Sequence, residues 1–363
     1  MAPGFTFGPN TPDAVRLTVE RLGDTYLIEE ENREGGNGFV FMARNRVLGT
    51  QVVIKFYNWE GDHRYHLEPQ VLTGFASTNV LKVLDAGVVD QSWSYYVSPF
   101  CAERSLQKLD RPVGVLKAHS IVSDILTGLT YLHGSHYLHR DLKPGNIYLH
   151  DGRAVIGDFG SLVRLPDGQS EVPASRHSLL FRPPESVQSD RYGKPGDIYQ
   201  VGMILFFLMG GHLPTEEAAW LTAKELGEYQ AKSYPDNTIF ADDCIKGRIA
   251  RGKVLDLTTV CPWTPNMFTR AIRRACRLNP ADRFVTAADF LAELSTARSS
   301  LADWTSVDGM ATLNGRSTSY RIGAEGPPYA VQKRRPPADW RNDNTCMETA
   351  DIRKLMREIE GRS

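Results

Sequence analysis

Hydrophobic and polar positions change rhythm twice along this chain. Between Tyr26 and Tyr57 apolar residues alternate in short runs, "TYLIEE", "FVFMAR" and "TQVVIKFY", parted by the turn-like "GGNG" and "VLGT". Period-two alternation broken by glycine predicts strands joined by tight turns. A short helical patch at about 68–76 follows, and "VLKVLDAGVV" and "SYYVSPF" predict two more strands. Residues 1–100 therefore read as a small, mostly antiparallel sheet with one helix. After Ser105 the period lengthens. "VLKAHSIVSDILTGLTYLHGSH" sets Ile121, Ile125, Leu129 and Leu132 at helical spacing. "GDIYQVGMILFFLMGG" predicts a helix buried on nearly all sides, with Gly210 and Gly211 as its stop. "PNMFTRAIRRACRL" and "TAADFLAEL" are amphipathic helices, the latter with Thr286 as N-cap and Asp289 standing in for a capping-box glutamate.

The second change comes at Ser299, where "EGPP", "KRRPP" and scattered Gly, Ser and Asn interrupt a stretch holding Trp304 and Trp340. "TADIRKLMREIEG" then predicts a terminal helix with Ile352, Leu355, Met356 and Ile359 on one side. At the other end, the first dozen residues hold five Gly or Pro and predict a flexible leader over 1–13. The division expected is a leader, a body over 14–298 split at 102/103, and a C-terminal extension over 299–363. Two readings of the extension stand open: a docking or inhibitory element, or a strap packed for stability.

Composition narrows the class without naming a function. At 363 residues there is room for one large domain or two ordinary ones. A formal net charge of −1 removes any bulk electrostatic case for nucleic acid or anionic membrane. The longest apolar run, "VGMILFFLM", is about half of what a bilayer span needs. No signal-peptide pattern includes "MAPGFTFGPN", so a cytoplasmic location is expected. Five scattered cysteines, odd in number and without C-x-x-C spacing, read as reduced thiols.

The chemistry concentrates in "YLHRDLKPGNIYL", residues 137–149, where Asp141, Lys143 and Asn146 share a loop forced by Pro144 and Gly145. Twelve residues after Asn146 comes Asp158, inside "GDFGS". Phosphoryl transfer from a metal nucleotide needs an acid to orient the attacking hydroxyl, a cation for the migrating phosphoryl and oxygen ligands for Mg²⁺. These residue types in two close loops match that need.

With those residues in hand, the sequence resembles the eukaryotic-type (Hanks-type) serine/threonine protein kinases. "HRDLKPGN" looks like their catalytic loop, "DFG" their metal-binding triplet, "VVIK" their β3 lysine motif, and "FRPPE" stands where they carry A-P-E. "GDIYQVG" resembles their buried helix, with Asp197 tying down the catalytic loop, and "LNPADRF" supplies Arg283 as the buried partner of Glu185. The motifs run in order through about 280 residues. The resemblance implies an α+β, bilobal fold: a β-rich N-lobe over 14–102 and a mainly helical C-lobe over 103–298. It implies transfer of the γ-phosphoryl group of MgATP, with Mn²⁺ as a substitute metal, to serine and threonine hydroxyls of protein substrates. Neither nucleic acid nor membrane is implied as a partner, whereas self-association for autophosphorylation is.

Residue by residue, the resemblance makes Asp141 the acceptor of the substrate proton and Lys143 the cation facing the γ-phosphoryl. Asn146 and Asp158 become the Mg²⁺ ligands, and Lys55 the grip on the α- and β-phosphates. The glycine cluster "REGGNGFV" retains Gly35, Gly38 and Val40 of the phosphate loop and adds Gly36, while Arg33 replaces its first glycine. Glu68 is the expected partner of Lys55, although Pro69 directly after it disfavours helical angles and leaves a surface acid as the other reading. Val53 would crowd the adenine pocket. The Pro99 carbonyl and Cys101 N–H would face adenine, and a small Ser98 would open a back pocket. Arg140 would be settled by a phosphate on Ser170 or Ser175, and Ser178 would belong to the substrate platform. A pseudokinase scaffold, favoured by Arg33 and Pro69, is the rival from another class. Phosphotransfer to a small metabolite ranks behind both.

Overall fold

The alternating stretch folds into β1 (Tyr26–Asn32), β2 (Phe39–Asn45), β3 (Gln51–Asn58), β4 (Asp85–Val88) and β5 (Trp93–Pro99). They form an antiparallel sheet in the order β1-β2-β3-β5-β4. The computed structural model describes residues 1–32, 38–58, 69–103, 105–174, 179–296, 298–315, 317–323, 326–347 and 349–362. Alternation gives the sheet two working faces. Val40 pairs with Lys55 and Met42 with Val53, so these four side chains share the face toward the large lobe. Phe41, Ala43, Val52, Ile54 and Phe56 point the other way and are almost wholly buried.

That outer face explains a departure from expectation. A sheet apolar on both sides needs cover on both sides. Helix α1 (Asp13–Leu22) supplies it, with Val15 and Val19 buried against the strands. Phe5 and Phe7 lie 6.4 and 6.2 Å from the Phe41 ring. Residues 1–13, expected as a flexible leader, are therefore packed onto the sheet. The other small helix, α2 (Pro69–Leu72), spans a single turn and begins at the proline, where a missing N–H costs nothing.

The large lobe is built around α3 (Val115–Gly134), whose Ile121, Ile125, Leu129 and Leu132 are all buried. Two short hairpin-like pairs follow: β6 (Tyr137–Leu138) with β9 (Val163–Arg164), and β7 (Ile147–His150) with β8 (Arg153–Ile156). Strand β10 (Glu171–Pro173) pairs with β11 (Arg191–Gly193), and α4 (Pro184–Gln188) lies between them in sequence. Helix α5 (Lys194–Leu208) is buried from Gly196 to Leu208. Helices α6 (Ala223–Gln230), α7 (Asp236–Ala250), α8 (Asn266–Ala275) and α9 (Ala287–Ser295) complete the lobe. The predicted capping box forms at α9, with Asp289 N–H donating to Thr286 Oγ1 at 3.0 Å and Thr286 N–H to Asp289 Oδ2 at 3.0 Å. A Cβ on Gly202 would sit 2.7 Å from that of Ala275, so α5 and α8 approach this closely only because position 202 is glycine.

The extension folds as a meander of β12 (Trp304–Val307), β13 (Met310–Leu313), β14 (Ser319–Ile322), β15 (Val331–Arg334) and β16 (Arg341–Asn342), then α10 (Ile352–Glu360). Trp304 is buried and its indole N–H donates to Glu360 Oε1 at 2.7 Å. Leu313, Ile322, Leu355, Met356 and Ile359 join the same apolar core as α3 and α5. Among the described residues no helix is long and apolar enough to cross a membrane.

Candidate active site

The loop after β6 turns in a way few side chains allow. Arg140 has φ 66° and Asp158, in the facing loop, φ 60°. Such left-handed angles cost free energy in non-glycine residues and persist only where surroundings fix them. Here the fixing group is Asp197, in the first turn of α5. Its carboxylate accepts from the His139 N–H at 3.1 Å, the Arg140 N–H at 2.9 Å, the Tyr192 hydroxyl at 2.8 Å and the His133 ring at 2.8 Å. Burial alone would raise its pKa, but the His133 bond and charge, with those of the other donors, lower it. One helical turn on, Gln200 accepts from the Leu142 N–H at 2.8 Å, so two side chains on one face of α5 grip the loop.

The two loops are then stitched together at Gly157. Its N–H donates to the Asn146 carbonyl at 2.9 Å, and its carbonyl accepts from His139 Nε2 at 3.0 Å. The Asp141 N–H donates to His139 Nδ1 at 3.3 Å, which requires the tautomer protonated at Nε2. Asp141 lies 3.0 Å from Lys143 Nζ and accepts from Asn146 Nδ2 at 2.9 Å. Asn146 Nδ2 also reaches the Asp141 carbonyl at 2.7 Å, which turns the amide oxygen away from Asp141. Across the stitch, Lys55 Nζ lies 2.6 Å from Asp158 Oδ2. Burial would push the Asp158 carboxyl up, but Lys55, then Lys143 and His139, outweigh it and hold it at about 2.

These groups open onto a cavity of about 680 Å³ between the lobes. Val40, Met42, Val53 and Lys55 form its roof, Lys143, Asn146 and Asp158 its floor, and Ser98, Pro99 and Cys101 its back edge. Asp141 is buried behind Lys143 and Asn146. Gly38 also lines the cavity, at φ 147°, where a Cβ would overlap the Phe56 carbonyl at 2.1 Å. Close approach to β3 thus demands glycine there. Gly35, Gly36 and Arg33, like Glu68, Ser175 and Ser178, lie outside the described residues. Ser98 and Tyr96 both line the cavity. Tyr96, two residues earlier on the same strand face, is buried with its ring 5.7 Å from Phe159 and 6.0 Å from Tyr57.

A hard divalent cation fits this donor set. The Asp158 carboxylate and the Asn146 amide oxygen are both hard ligands, both line the cavity, and Mg²⁺ takes only one or two protein ligands. The segment from Phe159 to Pro173 docks beside them. Arg140 Nε donates to the Ser161 carbonyl and Nη1 to the Pro173 carbonyl, each at 2.8 Å. Arg140 thus reaches two backbone carbonyls of the segment that carries Ser170, which is exposed. Leu138, Val163, Leu165, Val172 and Tyr192 pack beneath as a small core. Glu185 and Arg283 form the expected pair, two-pronged at 2.8 and 2.7 Å, with Arg283 also donating to the Pro195 carbonyl at 2.9 Å.

Sequence reasoning missed His133, Tyr192 and Gln200. Gln200 carried a usable signal, a polar residue three positions after Asp197 in a helix otherwise apolar on every side. His133 and Tyr192 carried none, since their meeting with Asp197 is set by tertiary packing.

Comparison with known proteins follows this geometry. The protein kinase domain family matches residues 28–292. The serine/threonine-protein kinase pkn3 of Myxococcus xanthus is 28% identical over 309 residues, covering 78% of this chain and 52% of that protein. The mouse interferon-induced, double-stranded RNA-activated protein kinase is 30% identical over 229 residues, 57% of this chain and 44% of its own. The serine/threonine-protein kinase PrkC of Bacillus subtilis is 24% identical over 294 residues, 77% and 42% respectively. The chain spans about half the length of the curated relatives it matches.

Proposed function

From the premise that this chain belongs to the Hanks-type serine/threonine protein kinase family, we propose that it transfers the γ-phosphoryl group of ATP to serine and threonine hydroxyls of proteins. The catalytic unit is taken as residues 14–298, with 299–363 packed on it as an extension. The observation that carries the reading is the stitch at Gly157, which joins the loop of Asp141, Lys143 and Asn146 to that of Asp158, with Lys143, Asn146, Asp158 and Lys55 lining one cavity.

In this reading the triphosphate lies under β1 to β3, with Lys55 against its α- and β-phosphates and adenine toward Pro99 and Cys101. Asn146 and Asp158 would hold Mg²⁺, or Mn²⁺ in its place, which when bound supplies positive charge against the phosphate oxygens. Asp141 orients the incoming hydroxyl and takes its proton, while Lys143 offsets charge on the migrating group. Asp158 is ionised throughout the neutral range, as a cation ligand must be. Lysine at position 143 favours serine and threonine acceptors over tyrosine. A second copy of the chain is one such acceptor, through residues of the 161–178 segment. Arg140, which already reaches the Ser161 and Pro173 carbonyls, is the cation that a phosphate on Ser170 or Ser175 would meet.

Labelled ATP with Mg²⁺ tests this. Wild type should incorporate phosphate into itself and into added casein, on phosphoserine and phosphothreonine. Asp141→Asn should reduce incorporation by about 10²–10⁴-fold, the usual worth of a positioned base, and Lys55→Met should do likewise. Equal incorporation by wild type and Asp141→Asn would replace the enzyme with a nucleotide-binding scaffold.

A further inference from the structure

Strand β1 carries one extra residue. Tyr26, Leu27 and Ile28 pair with Asn45, Arg44 and Ala43, and the register then slips so that Glu30, Glu31 and Asn32 face Met42, Phe41 and Val40. Such a bulge re-aims every side chain beyond it. Glu30 and Asn32 thereby line the cavity, and Glu31 points to the outer face beside Phe41. There the leader takes hold of it. The Gly8 N–H donates to Glu31 Oε2 at 2.5 Å and the Thr11 hydroxyl to Oε1 at 2.8 Å. A Cβ on Gly8 would stand 3.1 and 3.2 Å from those oxygens, so the bare glycine admits the carboxylate. Arg16 braces the same turn, donating to the Thr11 carbonyl at 2.8 Å and the Gly8 carbonyl at 3.0 Å.

Burying the outer face does not require this polar grip, because α1, Phe5 and Phe7 already cover it. Its location is what distinguishes it. Among the described residues β1 pairs with one strand only, with the Ala2 N–H donating to its Ile28 carbonyl on the other side, and edge strands are where a sheet opens most easily. Asn32, one residue beyond the grip, is where β1 hands the chain to the glycine cluster. We propose that Glu31 is a positioning residue for nucleotide: held from outside by Gly8 and Thr11, it fixes the height of Glu30 and Asn32 over the cavity. This rests on the ATP reading given above.

The test uses the full chain. MgATP affinity is measured directly by calorimetry in an Asp141→Asn background, where no turnover intervenes, and KM for ATP and kcat are measured separately with casein as acceptor. Glu31→Ala should weaken MgATP roughly five- to tenfold in both Kd and KM, a fraction of the worth of its two hydrogen bonds because they act on the nucleotide only through the strand. Its kcat and its KM for casein should stay within about twofold. Glu31→Gln keeps a carbonyl acceptor and should recover most of the affinity. Thr11→Val removes one of the two bonds and carries the test if Glu31→Ala does not fold, with an expected loss of about two- to threefold. A lowered melting temperature with unchanged Kd and KM for ATP would make the grip a mere brace and overturn the proposal. Equal losses in Glu31→Ala and Glu31→Gln would overturn it too, since charge and not grip would then matter. No MgATP binding by the unsubstituted chain would instead sink the functional reading on which it stands.

Discussion

Two aspartates, the half-buried Asp158 at the cleft floor and the buried Asp197 inside the large lobe, are alike in composition and opposite in company. Both are pushed toward neutrality by burial and both are held ionised by neighbours. Asp197 faces four donors fixed by backbone or packed rings. Asp158 faces chiefly the ammonium of Lys55, at the end of a four-carbon stem, and opens onto the cavity. A carboxylate whose partners cannot move is a structural rivet. One paired with a swinging cation can trade that partner for a ligand. The same residue type thus serves scaffold or chemistry according to how replaceable its partner is.

The contrast should first appear in stability. Asp197→Ala leaves several buried donors unanswered and should cost about 3–5 kcal/mol, seen as a lower urea midpoint, with phosphotransfer lost alongside. Asp158→Asn should weigh the other way, lowering kcat by about 10²–10³-fold while stability falls by no more than about 2–3 kcal/mol, the share its charge contributes. If Asp158→Asn unfolds the protein as readily as Asp197→Ala, the distinction collapses.

Acid acts on both carboxylates in the same direction, and the Lys55 pairing lets the Asp158 share be isolated. The Asp158 pKa is depressed in the folded state, so its stabilisation is complete above the ordinary carboxylate value and disappears as pH falls through about 2. Urea midpoints measured from pH 5 down to pH 2 should reveal a loss of about 2–3 kcal/mol, and Lys55→Met should remove that acid-sensitive component. Arg140→Gln should have the smallest effect, since its hydrogen bonds to the docked segment go to neutral carbonyls. It should loosen the docked segment by about 1–2 kcal/mol, read as faster hydrogen exchange at Val163 and Val172. Phosphatase treatment of wild type should leave those amides as protected as before.

The parts legible from sequence were those carried by short polar signatures or long single-period runs. Asp141, Asn146 and Asp158 announce themselves by type and spacing, and α3 and α5 by their length. The Glu185–Arg283 pair followed from the family resemblance alone. Other features depend on what lies on the far side of a sheet. Helix α1 was hidden because Arg16, Glu20 and Arg21 blur its apolar stripe and a Gly/Pro-rich stretch precedes it. Yet the apolar residues on both faces of β2 and β3 implied that something must cover the outer one. The meander of β12 to β16 was hidden because its strands are two to four residues long and the polar residues of one face, such as Thr305, Thr312, Arg321 and Gln332, read as loop. The packing of Tyr96 against Phe159 and Tyr57 is set by three segments meeting, which no pattern of residues discloses.

The place of α10 bears on how the chain is made. Leu355, Met356 and Ile359 belong to the same apolar core as Ile121 and Leu205, which precede them by some 150 to 240 positions. During synthesis the small lobe can assemble as soon as β5 leaves the ribosome. The larger one must wait with an open seam until residues near 360 emerge, and a nascent chain stalled before that point would offer its unfilled seam to chaperones.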